Sequence, residues 1–334
     1  MGRWARRHCW FVKGMSHIIA RFRSTGDTVN GMARQSKVLL ALGAIALIAA
    51  GAYYWLFLES PKLEGKFEFD IEEVRRLAAS IQGEAPRDIR YERVMDFKAP
   101  DAATVAGDSW KQSTLWGLAF QLCYSGHTAI LETTMNREQA NASGIVTGYY
   151  PEAYARVIQA MSKASLILVT HEHPDHIGGL AAHPELARLL ATSVKLNKQQ
   201  IDKHEYSAQF PEGAFANYKP LDYDRYLAVA PGIVLIKGPG HTLGSQMIFV
   251  RKSDGVELLF LGDVAWIRRN VELVRGKPRF ISNKIGEERE AVLPQLEAIH
   301  KLAEAEPKLV LVPGHDAGTI VDLVNRGLIR EGFE

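Results

Sequence analysis

The sequence predicts an α/β domain of sheets covered by helices, preceded by a single helix able to cross a membrane. Three observations carry this expectation. Short apolar runs and amphipathic segments alternate twice along the chain, as layered α/β domains require. A run of 21 uncharged residues lies near the start. Four of the apolar runs end in histidine or aspartate, which would gather those side chains at one edge of the sheets.

With 334 residues and 47% hydrophobic content, the chain can bury a sizeable core. Its formal net charge of +2 is unevenly spread. Residues 1–37 carry eight Lys/Arg against one acid, Asp27, leaving 32 basic and 37 acidic side chains in the remainder. An acidic main domain without a basic stripe argues against a nucleic-acid partner. Cys9 and Cys123 lie on opposite sides of the apolar run and are too few for a disulfide framework.

Val38–Leu58 reads VLLALGAIALIAAGAYYWLFL. At a rise of about 1.5 Å per residue it spans a hydrocarbon core of roughly 30 Å. Tyr53, Tyr54 and Trp55 stand near the end away from the basic flank, where amphipathic rings favour the interface. The positive flank predicts a cytoplasmic N-terminus and a main domain outside, periplasmic in a Gram-negative cell. Two other readings of the run are a buried core helix and a signal peptide cut after Ala50-Gly51-Ala52, which would release a secreted protein. Internal Met15 and Met32 offer later start codons. The chain therefore divides into a basic leader (1–37), an anchor (38–58), an entry region (59–115) and a main domain (116–334).

Within the entry region one helix is expected near Ile71–Ile81. Leu118–Tyr124 and Thr128–Thr133 flank Ser125-Gly126 as a β-hairpin. Tyr154, Val157, Ile158 and Met161 have helical spacing behind Pro151, and Ser165–Thr170 is a short strand buried on both faces. The second half supplies a strand at Ile233–Lys237 and a hairpin of Met247–Arg251 and Val256–Leu261 around Ser253-Asp254-Gly255. A helix at Ala291–Ala303 and a last strand at Lys308–Val312 complete it.

The chemistry sits at the strand ends. Thr170 runs into His171-x-His173-x-Asp175-His176, Lys237 into Gly238-Pro239-Gly240-His241, Leu261 into Gly262-Asp263, and Val312 into Pro313-Gly314-His315-Asp316. Imidazole and carboxylate suit zinc, iron or manganese, and seven ligands are too many for one tetrahedral ion. They suggest two ions sharing a bridging group, roughly 3.5–4 Å apart. The other histidines of the main domain, His127, His183, His204 and His300, lack such context. Glu172 and Pro174 are read as shaping and exposing the motif loop, and Asp316 either orients a ligand or caps a helix.

The order HxHxDH, His, Gly-Asp, Gly-His-Asp over Leu118–Asp316 resembles the metallo-β-lactamase-fold hydrolases. The resemblance implies an αββα four-layer sandwich with the metals at one rim. It implies that His171, His173 and His241 hold a first metal, that Asp175, His176 and His315 hold a second, and that Asp263 bridges them. The ions would be two divalent cations, zinc first, with iron or manganese as alternatives. Asp175 and Asp263 would be the catalytic carboxylates.

Asp263 stands where true β-lactamases of this fold carry Cys or Ser, His173 where flavodiiron-like members carry Glu, and only 18 residues follow Asp316, too few for a glyoxalase II-like helical domain. Glu132-Thr133-Thr134 replaces the family's Asp-x-Gly. The pattern is most similar to lactonases, thioesterases and other small-ester hydrolases. These act on small-molecule substrates through a metal-bridging hydroxide. A mononuclear iron enzyme resembling persulfide dioxygenases and an amide hydrolase resembling β-lactamases are the rivals. Lys195–Pro231, with Tyr206, Phe210, Tyr218, Tyr223 and Tyr226, is the expected pocket wall, with surface packing as its alternative.

Overall fold

The computed structural model describes residues 28–202 and 206–334, and the side chains from Ser36 onward apart from 203–205. His8, Cys9, His17 and His204 lie outside the described residues. The chain separates into a unit up to Tyr53 and a compact unit of Tyr54–Glu334.

Among its described residues the first unit holds the helix Thr28–Tyr53, and the second unit opens with a π-helical turn at Tyr54–Leu58. Ser36–Leu58 is long and apolar enough to cross a membrane, a test that a signal sequence also passes. None of this span is buried, with Leu40 and Leu47 about three-quarters exposed at 74% and 76%. A core-helix reading therefore fails.

In the second unit, strands β1 (Asp88–Pro100), β2 (Gln112–Cys123), β3 (Thr128–Leu131), β4 (Val146–Tyr149) and β5 (Leu166–Leu168) form one sheet. Strands β6 (Tyr226–Ala230), β7 (Ile233–Lys237), β8 (Gln246–Arg251), β9 (Glu257–Gly262) and β10 (Val310–Pro313) form the other, and β11 (Arg330–Glu331) returns to the first beside β1. Both sheets are mixed: β1–β2 and β7–β8 run antiparallel, whereas β3–β5 and β9–β10 run parallel.

Period-two alternation assigns each strand residue to a layer. Phe120, Leu131, Leu168, Leu235, Ile248, Phe260 and Val312 point between the sheets and form the central core. Their neighbours Ala119, Ile130, Ile167 and Val169 face helices Pro151–Lys163, Pro174–Ala181 and Leu186–Thr192. Ile236, Met247, Phe249 and Leu261 face helices Ile71–Ala78 and Arg289–Ala305. The result is the αββα sandwich that the resemblance implies.

The composition-based start at 116 falls inside β2, and the entry region supplies β1, which pairs with β2 from Asp88↔Cys123 to Pro100↔Gln112. DIRYERVMDFKAP alternates charged and apolar residues, so it looks broken by composition while suiting a strand with unlike faces.

Candidate metal centre

Each candidate ligand stands on a loop that leaves a sheet at the same edge. β5 delivers His171–His176, β7 delivers His241, β9 delivers Asp263 and β10 delivers His315. Helix Pro174–Ala181 starts within the motif with Pro174 in its first turn, where a missing N–H costs nothing. Asp175 and His176 therefore project from one helical turn beside His173.

All seven expected residues converge. His171, His173, His241 and Asp263 form one group, and Asp175, His176 and His315 form another, with the candidate ligand atoms of each group within 4.8 Å of one another. In the first group His173 Nδ1 lies 3.1 Å from His171 Nε2 and 3.0 Å from His241 Nε2. In the second, His176 Nε2 and His315 Nε2 are 3.4 Å apart. Asp263 joins the two, with Oδ2 3.4 Å from His241 Nε2, and Oδ1 3.2 Å from His315 Nε2 and 3.3 Å from His176 Nε2. Six of the seven are buried, Asp175 being partly open.

The electrostatics fit cations. Burial drives His171 well below the ordinary imidazole pKa, and His176 and His241 beside it add to the effect, leaving the neutral, ligating form. Burial alone would raise the Asp263 carboxyl, yet His315 and His176 hold it well below the usual carboxylate range. His176 is raised because Asp263, Glu132 and Asp175 outweigh its desolvation. Three ring nitrogens crowded at about 3 Å, facing a buried carboxylate, lack the protons to satisfy one another, whereas a divalent cation satisfies all of them.

A second layer holds these ligands. His241 Nδ1 is 2.8 Å from Glu287 Oε2, which also accepts from Lys277 Nζ at 2.5 Å. Lys277 Nζ donates to the Asp263 carbonyl at 2.7 Å, and the Trp266 indole donates to Asp263 Oδ2 at 2.6 Å. His315 Nδ1 reaches the Trp116 carbonyl at 2.9 Å. Such contacts fix tautomer and ring orientation.

Glu132, at the end of β3, sits where the Asp-x-Gly acid is expected. Its Oε1 accepts from Thr170 Oγ1 at 2.5 Å, and its Oε2 lies 3.3 Å from His176 Nδ1. Lys277, Glu287 and Trp266 carry no motif. Lys277 and Glu287 sit in a charged run, 268–290, that reads as solvated surface until the tertiary fold buries it.

One expectation changes, and two open alternatives are decided. Glu172 does not expose the loop; it is fully buried, and its carboxylate accepts from Thr242 Oγ1 at 2.8 Å and Gly244 N at 3.2 Å, clamping the His241 loop to the motif loop. Asp316 caps helix Ala317–Asn325 by accepting from Thr319 N, and it also accepts from Arg268 N at 2.7 Å. The aromatic residues of 195–231 mostly pack inward: Tyr218 donates to or accepts from the backbone at Val194 and Leu196, Tyr223 reaches Gln246, and Tyr226 accepts from Asp70 N. Phe210 lines a cavity of about 160 Å³ with Phe215, Ala208 and Gln200.

Comparison with known proteins agrees with this architecture. Residues 163–315 match the family model described as the metallo-beta-lactamase superfamily. N-acyl homoserine lactonases from a Bacillus species and from Bacillus thuringiensis subsp. kurstaki are each 22% identical over 161 residues, 43% of this chain and 61% of theirs. The chain thus spans about 61% of the length of these curated relatives. Among solved structures, an N-acyl homoserine lactone hydrolase with N-hexanoyl-L-homoserine at its catalytic metal centre superposes with TM-score 0.57 at 16% identity, covering 71% of this chain and 96% of that one. A probable metal-dependent hydrolase from Staphylococcus aureus superposes with TM-score 0.51 at 13% identity, covering 70% and 91%. With the fold, the order of the candidate ligands and the family match in agreement, residues 163–315 carry a metallo-beta-lactamase superfamily domain.

Proposed function

We propose that the protein is a membrane-anchored, metal-dependent hydrolase of small esters, with lactones first and thioesters as the neighbouring class. The observation that carries this reading is Asp263, whose two carboxylate oxygens face two separate nitrogen-rich groups. His171, His173 and His241 would hold one divalent ion, Asp175, His176 and His315 a second, and Asp263 would touch both. Zinc suits this mixture of imidazole and carboxylate. Bound there, the two ions would supply Lewis acidity and a water acidic enough to ionise near neutral pH.

The chain's own groups then have distinct tasks. Asp263 Oδ2 is held by the Trp266 indole while Oδ1 faces His176 and His315, so the carboxylate is fixed between the two groups and would position the water shared by them. Asp175 is the one acid of the site open to solvent, its side chain 20% exposed, and is placed to return a proton to the leaving alcohol. Glu287 keeps His241 oriented with Nε2 toward the site. The curated relatives are named for lactone hydrolysis, which makes N-acyl homoserine lactones the first substrates to try. The basic leader before the apolar span supports a location of the domain on the outer side of the membrane.

The test is metal analysis of the full chain together with hydrolysis of lactone, thioester, phosphodiester and β-lactam panels. About two ions per chain and lactone or thioester turnover lost in Asp263→Ala, with the fold retained, are the expected results. One iron per chain with oxygen uptake, or unchanged turnover in Asp263→Ala, would overturn the proposal.

A further inference from the structure

The compact unit begins with residues that also end the apolar span, and they do not dangle from it. Phe57 packs between Trp110 and Phe280, with ring centroids 5.6 and 5.3 Å away. Its carbonyl accepts from Gly107 N at 2.9 Å. The Arg279 guanidinium lies 4.7 Å from the centre of the Trp55 ring, and Lys284 lies 4.5 Å from that of Phe280. Glu59 is clamped by Arg279 Nη2 at 2.9 Å and Arg289 Nη1 at 2.7 Å. Segments 54–59, 105–110 and 275–289 therefore meet on one face, tied further by Ala106 N to the Gly276 carbonyl and by Arg275 Nη1 to the Ala106 carbonyl, each at 2.9 Å.

That face is aromatic, basic and open. Tyr54 is 58% exposed, Trp55 51%, Trp110 54% and Phe280 37%. Of its carboxylates, Glu59 is held by two arginines, Asp108 by Arg269 and Glu287 by Lys277, so the charge that Arg279 and Lys284 place directly beside the rings is positive. Large exposed rings with Lys and Arg among them suit the headgroup layer of a membrane, where the ring enters the acyl boundary and the cation meets anionic lipid.

We infer that this face, built from Trp55, Trp110, Phe280, Arg279 and Lys284, is a second membrane contact that seats the domain on the lipid surface directly beyond the span. The inference rests on the reading of Ser36–Leu58 as a retained anchor. Continuity of chain argues for lipid as the occupant: the last residues of the apolar span Ser36–Leu58, Trp55 and Phe57, belong to the aromatic cluster itself, and Glu59, the next residue after the span, is fastened to the same face. Seating of this kind would present the domain to substrates that partition into the bilayer surface.

The experiment uses the full chain in vesicles of phosphatidylcholine with phosphatidylglycerol, with Cys9→Ser and Cys123→Ser as background. Single cysteines at Trp110→Cys, Phe280→Cys, Leu47→Cys and Ser253→Cys carry an environment-sensitive fluorophore, and lipids carry a quencher at headgroup or mid-chain depth. The expected result is blue-shifted emission at 110 and 280, lost to the shallow quencher, with 47 lost to the deep quencher and 253 quenched by neither. Aqueous emission at 110 and 280 while 47 is quenched overturns the surface contact and leaves the anchor standing. Failure of the protein to float with vesicles, or an unquenched probe at 47, overturns both. Blue-shifted but unquenched probes at 110 and 280 would mean a protein partner covers the face, which also overturns the inference.

Discussion

Lys277 Nζ and Glu287 Oε2 meet at 2.5 Å with both side chains fully buried, between the His241 ring and the Asp263 loop. Burial pushes the Glu287 carboxyl up, but Lys277 and His241 outweigh it and keep the group ionised. Ser282 Oγ donates to the other oxygen at 3.0 Å. The pair therefore does two jobs, holding the His241 ring and the backbone turn that carries Asp263.

Removing either partner strands a buried charge. Lys277→Met is expected to destabilise the fold by about 3–5 kcal/mol, measured by urea unfolding. Glu287→Gln keeps an acceptor for His241 while removing the charge, so it should cost less stability but weaken metal binding roughly 10–100-fold in a chelator competition titration. Metal affinity unchanged in both variants would show that His241 needs no such support.

Glu132 occupies backbone with φ 64°, which few residues other than glycine adopt, and holds Thr170 and His176 at once. Strain retained at a ligand-facing residue implies that its side chain is needed there. Glu132→Ala should lose roughly 1–3 kcal/mol of stability through the orphaned Thr170 donors. It should also release the ion at His176 before the ion at His171, seen as a drop toward a single bound metal on dialysis. Glu132→Gly, which relieves the backbone, should recover stability without recovering the metal; recovery of both would assign Glu132 a purely conformational role.

The convergence of the candidate ligands is legible in the sequence because strand ends in a sandwich share an edge, so four apolar runs each followed by His or Asp bring those side chains together. Strands rich in β-branched and apolar residues, such as Ile233–Lys237, are read for the same reason. The support beneath the ligands is not legible. Lys277 and Glu287 sit among Arg275, Arg279, Lys284, Glu288 and Arg289, a pattern that belongs to solvated surface wherever tertiary packing does not bury it. Glu172 is hidden within the motif itself, since only the approach of the Thr242–Gly244 turn gives its carboxylate donors.

Gly262 links β9 to Asp263 at φ 51°, and a methyl group there would come within 2.6 Å of Thr170 Cβ. Gly262→Ala combines left-handed backbone with overpacking against the strand that carries His171. A loss of roughly 2–5 kcal/mol is expected from the two costs together. Because Thr170 and Asp263 move first, bound metal should fall along with the urea midpoint. A variant that loses stability yet binds metal as before would separate this packing contact from the site.

Glu59 lies between two guanidiniums, Arg279 and Arg289, at 2.9 and 2.7 Å. Its modest burial raises the carboxyl pKa, and the arginines outweigh this, leaving it below the ordinary value of 4.5. A carboxyl depressed in the folded state contributes stability that is present above its unfolded pKa and is lost as pH falls through the folded one. The pair is partly solvated, so a contribution of roughly 0.5–1 kcal/mol is expected. Wild type and Glu59→Gln should therefore differ in urea stability at neutral pH and converge as pH falls below the ordinary carboxylate range. Taking the difference between the two proteins cancels the loss of histidine ligation that acid imposes on both. A difference that stays constant across that range would mean that Glu59 fastens the end of the apolar span through its shape and its backbone carbonyl, which accepts from Arg289, rather than through its charge.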